Sequence, residues 1–511
     1  MKAHHSTNAL PEESKPFWRE GVEMPTFSPL DEDIHVDVAI VGGGITGVTA
    51  AYLLIREGVS VALLEADRLL CGSTGHTTAK LTAQHNLFYD ELISHGGLDK
   101  AQRYYESNQR AIDFVQSTAT ELNVDCEFQF EDAYVFATTA KSAQRIEKEY
   151  QAYQKLQIPG DITDTIPLHI PIHNAIRMSH QAQFHPLKFL AALVHEIQEK
   201  GARIFEQTVA VDVTYDNAPA IITRTGHRVT ARKILACSHY PFYSGQGYYF
   251  ARMYAERAYV LAAKTKTDYP AGMYICAESP ARSLRSARVH GEPVVLITGD
   301  GHRTGQGPDT FTHYKNLQAF GEQVFGAMDI LYRWSNQDLY TLDKIPYIGE
   351  IANVHPNVLV ATGYKKWGMS SGIVAAHILR DLALGRDNPY ADLYHPGRFY
   401  ADPSLRKFLM HNGTVTAHLI KGKLQIPAHH PDDLVVGEGS VVTYNGHRTG
   451  AYKDEQGTIY LVDTTCTHMG CEVNWNHAER TWDCPCHGSR FTYTGDVVQG
   501  PAKKPLERLD E

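Results

Sequence analysis

Nowhere in the sequence do eighteen consecutive apolar residues occur, which argues against a membrane-spanning helix. The opening stretch MKAHHSTNALPEESKPFWRE lacks the apolar segment of a secretory signal. Runs of five or six like charges are also missing, and 48 basic against 58 acidic residues leave a formal charge of −10. That balance argues against nucleic acid as a partner. Cysteine is scarce, eight in 511 residues, yet Cys466, Cys471, Cys484 and Cys486 crowd together near the end. In a chain without export signals, such crowding favours metal chemistry over a disulfide framework. The expectation is a soluble, cytoplasmic protein without a membrane span, long enough for about three domains.

What is present begins with IHVDVAIV over residues 34–41, a short β-branched run. Gly42-Gly43-Gly44-Ile45-Thr46-Gly47 follows, then a helix-like segment to Glu57, a stop at Gly58 and a second strand, VSVALLE, over 59–65. Strand, tight turn, helix and strand make a nucleotide-binding βαβ unit. Gly42 is placed for the turn, Gly44 for close approach to a pyrophosphate and Gly47 for packing of helix on strand. The helix N-terminus, with Ile45 and Thr46, is the place for the anion. Glu65, 18 residues after Gly47, can accept from an adenosine 2′-hydroxyl and suits a 2′-phosphate poorly. FAD and NAD therefore fit, and NADP does not.

Ala66 leads into the small and polar stretch Cys71-Gly72-Ser73-Thr74-Gly75-His76-Thr77-Thr78-Ala79-Lys80, better suited to wrapping a cofactor than to a core. It resembles the flavin-binding segment of the D-amino-acid-oxidase-like FAD oxidoreductases, the glycine and sarcosine oxidase group, with Gly72-x-Thr74-Gly75 departing from their G-x-S-G. Further stretches extend the resemblance: Phe184-His185-Pro186 with a helix and strand leading to Val209, then Trp334 through Gly349, then Val358 through Ser371. Asn336 and Asp338 replace the glycine and arginine of the group's W-x-G-x-R. The resemblance implies an oxidoreductase over 34–390. Its FAD segments lie near 34–85, 181–240 and 335–390, and a substrate domain of mixed strands lies near 86–180 and 241–334. It implies FAD contacts from Ala66, Gly72, Ser73, Thr74, Gly75, Thr77 and Thr78, from the backbone at Val209, and from Gly363, Gly368, Met369 and Ser370. A strand feeding glycines into a helix N-terminus aims backbone N–H groups at one spot, which favours a reduced, anionic flavin. The alternative, an NAD-dependent dehydrogenase, leaves the GYKKWGMSSG loop unexplained.

From about residue 425 the texture changes to short β-like runs, and Asn445-Gly446 marks a hairpin. Cys466-x-His468 and, after fifteen residues, Cys484-x-x-His487 offer two thiolates and two imidazoles. Zinc could occupy such a set, although C-x-H is cramped for a zinc finger and two cysteines would be left over. The motifs and their flanks, CTHMGC and CPCHGS, resemble the Rieske [2Fe–2S] proteins of the bc1 type, where thiolates bind one iron and imidazoles the other. That resemblance implies Cys466, His468, Cys484 and His487 as ligands. It also implies a Cys471–Cys486 disulfide, against the expectation for a reducing compartment. Ser489 matches the hydroxyl that bonds a bridging sulfide, while Phe491 stands where a tyrosine is usual, which implies a lower potential. Gly500-Pro501-Ala502 matches the loop that covers the cluster.

The expected fold is thus an α/β Rossmann-like FAD-binding domain with an α+β substrate domain, a linker over 386–424 and an all-β Rieske domain over 425–511. The expected activity is oxidation of an amine or amino acid by FAD, with electrons leaving singly through the [2Fe–2S] cluster to an electron acceptor. Lys366, His76, Arg257 and Tyr259 are the candidate catalytic residues. Lys366 or Lys80 could lie over the flavin, His76 could touch it, and Arg257, Tyr259 and Arg285 could anchor a carboxylate. Two alternatives stand beside this: an electron-transfer protein without an organic substrate of its own, and an oxygen-using oxidase with a structural Rieske module.

Overall fold

The computed structural model describes residues 10–215, 218–244, 246–307, 309–398, 401–424 and 430–509. The ends assigned to the third module, 425 and 511, lie outside these.

The first sheet grows around Ile34–Val41, which pairs in parallel with Val61–Leu64 on one side and Arg228–Ala236 on the other. Arg203–Phe205 and Val358–Thr362 extend the parallel run, and Tyr347–Glu350 closes one edge antiparallel. Val61–Leu64 and Val358–Thr362 are buried along their whole length and read as apolar runs, as strands covered by helices do. Helix Ile45–Ile55 packs against both Gly368–Ala383 and Pro186–Glu199. Pro186 opens its helix at a position where no N–H is needed, and His185 caps it by accepting from Lys188 N at 3.2 Å.

The second sheet has nine strands, with the long antiparallel Met253–Thr265, Glu292–Arg303 and Met328–Thr341 at one side. Lys80–Leu81 is the outermost strand at the other side, so the polar loop after the first sheet runs straight into the second. Trp334 through Thr341 pair with Met253–Val260, which places residues 335–341 on this sheet. Near the N-terminus, Phe17 and Trp18 are buried, and Trp18 Nε1 donates to the Thr77 carbonyl at 2.8 Å.

The C-terminal module is built of a three-stranded sheet, Gly439–Tyr444, His447–Lys453 and Ile459–Asp463, and a four-stranded sheet from Asn474–Asn476 to Val497–Gln499. Asn445 and Gly446 both have positive φ, +50° and +79°, as a two-residue hairpin requires. The stretch before this module is helical over Ala401–Leu424. Among the described residues, no helix is long and apolar enough to cross a membrane.

Candidate functional site

A cavity of about 930 Å³ lies between the two sheets. The glycine turn forms one wall. At Gly42, where φ is +111°, a Cβ would sit 2.5 Å from the Cys237 carbonyl oxygen, and at Gly47 it would sit 2.0 Å from that of Gly42. Helix and strand can meet this closely only without side chains. Gly43 N and Asp67 N donate to Glu65 at 2.7 and 3.0 Å, which fixes the carboxylate at the cavity edge, and burial pushes its pKa up. Thr74 Oγ1 accepts from Ile45 N at 3.0 Å, drawing the polar loop onto the helix N-terminus.

Gly44, Ile45 and Thr46 line this cavity with Ala66, Gly72, Ser73, Thr74, Thr77 and Thr78 from the loop. Val209, Gly368 and Met369 line it as well; the Val209 carbonyl already accepts from Arg224 N at 2.8 Å. Gly47, Gly75, Gly363 and Ser370 stand behind the lining. A Cβ on Gly75 would meet the Leu70 carbonyl at 2.4 Å, and one on Gly363 would meet Thr341 at 2.5 Å. Ser370 Oγ lies 3.1 Å from His85 Nε2.

The charged groups of the cavity are tuned by burial. Asp338, bonded by Asn336 Nδ2 at 3.0 Å, has its carboxyl pushed up to about 7 by burial despite the nearby Lys366 ammonium. Burial, helped by Lys344, brings Lys365 down to about 7. Lys80 donates to the Tyr274 carbonyl at 2.8 Å and to Ser283 Oγ. Burial drives its pKa well down and Arg285 adds to the effect; Lys80 is part of the cavity lining. His76 Nδ1 donates to the Gly72 carbonyl at 2.9 Å, and burial lowers the pKa of its ring. Among the described residues, His239 Nε2 and Trp367 Nε1 are buried without a hydrogen-bond partner, on residues of the same wall. A helix N-terminus, a fixed carboxylate and unpartnered ring nitrogens around one cavity fit FAD.

Arg257 and Tyr259 are outside this lining. Arg257, 1% exposed, bonds Ser335 Oγ and lies 3.7 Å from Glu479 of the C-terminal module. Burial opposes its charge, but Asp483 and Glu479 more than offset that and its pKa is raised. The Tyr259 hydroxyl lies 2.9 Å from His302 Nε2, and its ring stacks on His313. Arg285 donates to the carbonyls of Ala79 and Ser286, at 2.7 Å each.

In the C-terminal module Cys471 and Cys486 form a disulfide with a Cα–Cα distance of 6.5 Å. Cys466 and Cys484 are free and buried. The two thiols act on one another, which lowers the pKa of Cys466 and, with burial, pushes that of Cys484 up. The His468 and His487 rings are 5.0 Å apart and nearly perpendicular, and His468 Nδ1 is buried without a partner among the described residues. Two thiols and two imidazoles, one with an orphaned nitrogen, match the donor set of a [2Fe–2S] cluster of the Rieske kind. Ser489 Oγ accepts from Ala502 N at 3.0 Å, leaving its hydroxyl proton to donate. Phe491 and Ala502 are buried in this module's core.

The two sites meet. His487 is 4% exposed, with the Phe250 ring 5.7 Å from its own. Gln306 Nε2 donates to the Pro485 carbonyl at 3.1 Å and Gln337 Nε2 to that of Gly488 at 2.8 Å. Glu479 accepts from Ser14 Oγ and the Tyr314 hydroxyl at 2.9 Å each. Glu479, Thr481, Arg490 and residues 497–503 form part of the wall of the cavity itself. The roles of Glu479, Gln337 and Ser14 carry no motif in the sequence.

The profile of the family described as FAD dependent oxidoreductase matches residues 37–382, and that of the Rieske [2Fe-2S] domain matches 425–510. The Rieske 2Fe-2S iron-sulfur protein YhfW of Bacillus subtilis is 48% identical over 510 residues, covering 100% of both chains. Gamma-glutamylputrescine oxidoreductase of Escherichia coli is 22% identical over 72% of this chain and 89% of its own. Among solved structures, glycine oxidase from Geobacillus kaustophilus superposes with a TM-score of 0.61 at 18% identity, covering 72% of this chain and 100% of its own. The chain belongs to the FAD dependent oxidoreductases of the D-amino-acid-oxidase type, carries a Rieske domain at its C-terminal side, and has FAD and a [2Fe–2S] cluster as its cofactors.

Proposed function

We propose that this oxidoreductase dehydrogenates a C–N bond of an amine or amino acid and sends the electrons out through its own cluster. The observation that carries the reading is the shared wall: the Rieske module encloses the flavin cavity, and His487 is buried against the oxidoreductase rather than turned to solvent. Bound FAD supplies a two-electron hydride acceptor and the cluster a one-electron exit. The backbone N–H groups at Gly44 and Ile45 would hold the pyrophosphate, Glu65 the ribose, and the residues around Gly368 the ring edge. Cys466 and Cys484 would bind one iron and His468 and His487 the other.

For the substrate, the second sheet turns small side chains to the cavity, among them Ala258, Val260, Ala281 and Ser283. Lys80 lies among them, and among the described residues no carboxylate acts on its ammonium. A substrate carboxylate there would supply the missing counter-charge. Lys366 and Asp338 would hold a proton near the reacting amine, burial pushing the Asp338 carboxyl up to about 7. The relatives named for gamma-glutamylputrescine and for glycine support an amine or amino-acid substrate.

The test is anaerobic. Oxidised protein is mixed with a panel of amines and amino acids, and the reduced cluster is sought by EPR. Its appearance with one compound supports the reading. Silence across the panel, with dithionite still producing the signal, overturns it in favour of a relay without an organic substrate.

A further inference from the structure

We propose that Gln337 is the bridge by which electrons cross between the flavin cavity and the cluster loop, an inference that rests on the flavin-to-cluster reading above. Gln337 stands on the strand Met328–Thr341 and is 2% exposed. On one side it belongs to the cavity wall, where its carbonyl accepts from Ser73 Oγ at 3.4 Å; Ser73 lines the same cavity. Its side chain points to the other module. Nε2 donates to the Gly488 carbonyl at 2.8 Å, and Oε1 accepts from Thr304 Oγ1 at 2.8 Å. Gly488 directly follows His487.

Both ends of the amide are therefore fixed by buried hydrogen bonds, and turning it over would leave buried polar groups unmade. Gly488 is what permits the approach. Its φ is +80°, and a Cβ there would lie 2.3 Å from that of Ala255 and 3.2 Å from Gln337 Nε2. Such closeness is unnecessary for mere docking, because Gln306 already clamps the same loop at Pro485. Gln306 faces a separate, smaller cavity and is absent from the flavin wall, so Gln337 alone of the two glutamines joins both sites. Electrons tunnel farther along covalent and hydrogen bonds than across van der Waals gaps. The step balances simply: the flavin loses one electron and a ferric ion of the cluster gains it. Arg490 offers the competing route, since it lines the cavity and is covalently continuous with the cluster loop.

Laser flash photolysis of the holoprotein with 5-deazariboflavin tests this without any substrate. The photoproduced radical gives one electron to the flavin, and its arrival at the cluster is followed by visible absorbance. Gln337→Leu keeps the shape and removes both side-chain hydrogen bonds; Gln306→Leu removes the other clamp. The expected result is a severalfold slower transfer in Gln337→Leu, at unchanged midpoint potentials and unchanged EPR line shape, with Gln306→Leu at the wild-type rate. Ser73→Ala, which cuts the path at its cavity end away from the interface, should also slow transfer and serves if Gln337→Leu does not fold. Wild-type rates in Gln337→Leu, or equal slowing in Gln306→Leu, overturn the bridge and favour Arg490 or docking alone. No transfer in the wild type instead overturns the flavin-to-cluster reading, and the bridge with it.

Discussion

Replacing Glu479 with glutamine removes one negative charge from the contact between the Rieske module and the oxidoreductase and leaves the shape intact. The carboxylate accepts from Ser14 and Tyr314 at 2.9 Å each and faces Arg257 at 3.7 Å. Arg257 is 1% exposed, and its Nε and Nη1 have no hydrogen-bond partner among the described residues. At an effective dielectric constant of about 20, opposite charges this close attract by about 4 kcal/mol. Removing one member of a buried pair costs about 3–5 kcal/mol, because the other charge is left uncompensated. Asp483 still acts on Arg257, so the expected loss in Glu479→Gln is near the lower end, about 3 kcal/mol. Urea unfolding followed by the cluster's visible absorbance, with flavin fluorescence as a second probe, reads it. The loss belongs to the transition of the Rieske module, and flavin release should move with it because that module walls the cavity. A loss below about 1 kcal/mol, the size of an exposed ion pair, would refute the claim that this contact is buried and electrostatically closed.

Three further outcomes are expected. Gly47→Ala puts a Cβ 2.0 Å from the Gly42 carbonyl oxygen and should yield protein without FAD, read as flavin absorbance per chain; retained flavin contradicts the close packing. Lys80→Met should raise KM for a carboxylate-bearing substrate about tenfold or more, the value of one charge-assisted hydrogen bond, with little change in FAD content; an unchanged KM removes Lys80 from the substrate site. Asp343 and Arg398 form a buried bidentate pair at 2.7 and 3.0 Å. Burial opposes the Asp343 charge, but Arg398 more than offsets it and the pKa is lowered. Its stabilisation is therefore fully present above the ordinary carboxylate value of about 4 and is lost as pH falls through the lower folded value. Asp343→Asn should cost about 3–5 kcal/mol at neutral pH and flatten the acid side of the stability profile in thermal scans.

The centres of both cofactor sites are legible because the motifs that mark them lie close together in the chain. The turn Gly42 to Gly47 with Glu65 and the paired motifs around Cys466 and Cys484 carry their geometry locally, as does the Asn445-Gly446 hairpin. The contact between the sites was not legible. Gln337 and Gly488 are 151 positions apart, Tyr314 and Glu479 165, Ser14 and Glu479 465. No periodicity or spacing reports such a pairing, and a buried arginine looks the same in sequence whether it meets a substrate or a second domain. In sequence Arg257 therefore looks like a carboxylate anchor, whereas the structure gives its charge to Glu479 and Asp483. Residues 335–341 continue a strand whose partner, Met253–Val260, is equally remote. The helix Ala401–Leu424 fell in a stretch read as linker because Gly413, Thr414, Val415 and Thr416 dilute its helical signal.

The most direct test of intramolecular transfer is anaerobic rapid mixing of the holoprotein with a reducing substrate, following flavin bleaching and cluster reduction together over a range of protein concentrations. The cluster is expected to be reduced after the flavin, at a first-order rate independent of protein concentration. A cluster that stays oxidised beside a reduced flavin, or one whose reduction rate rises in proportion to protein concentration, contradicts it.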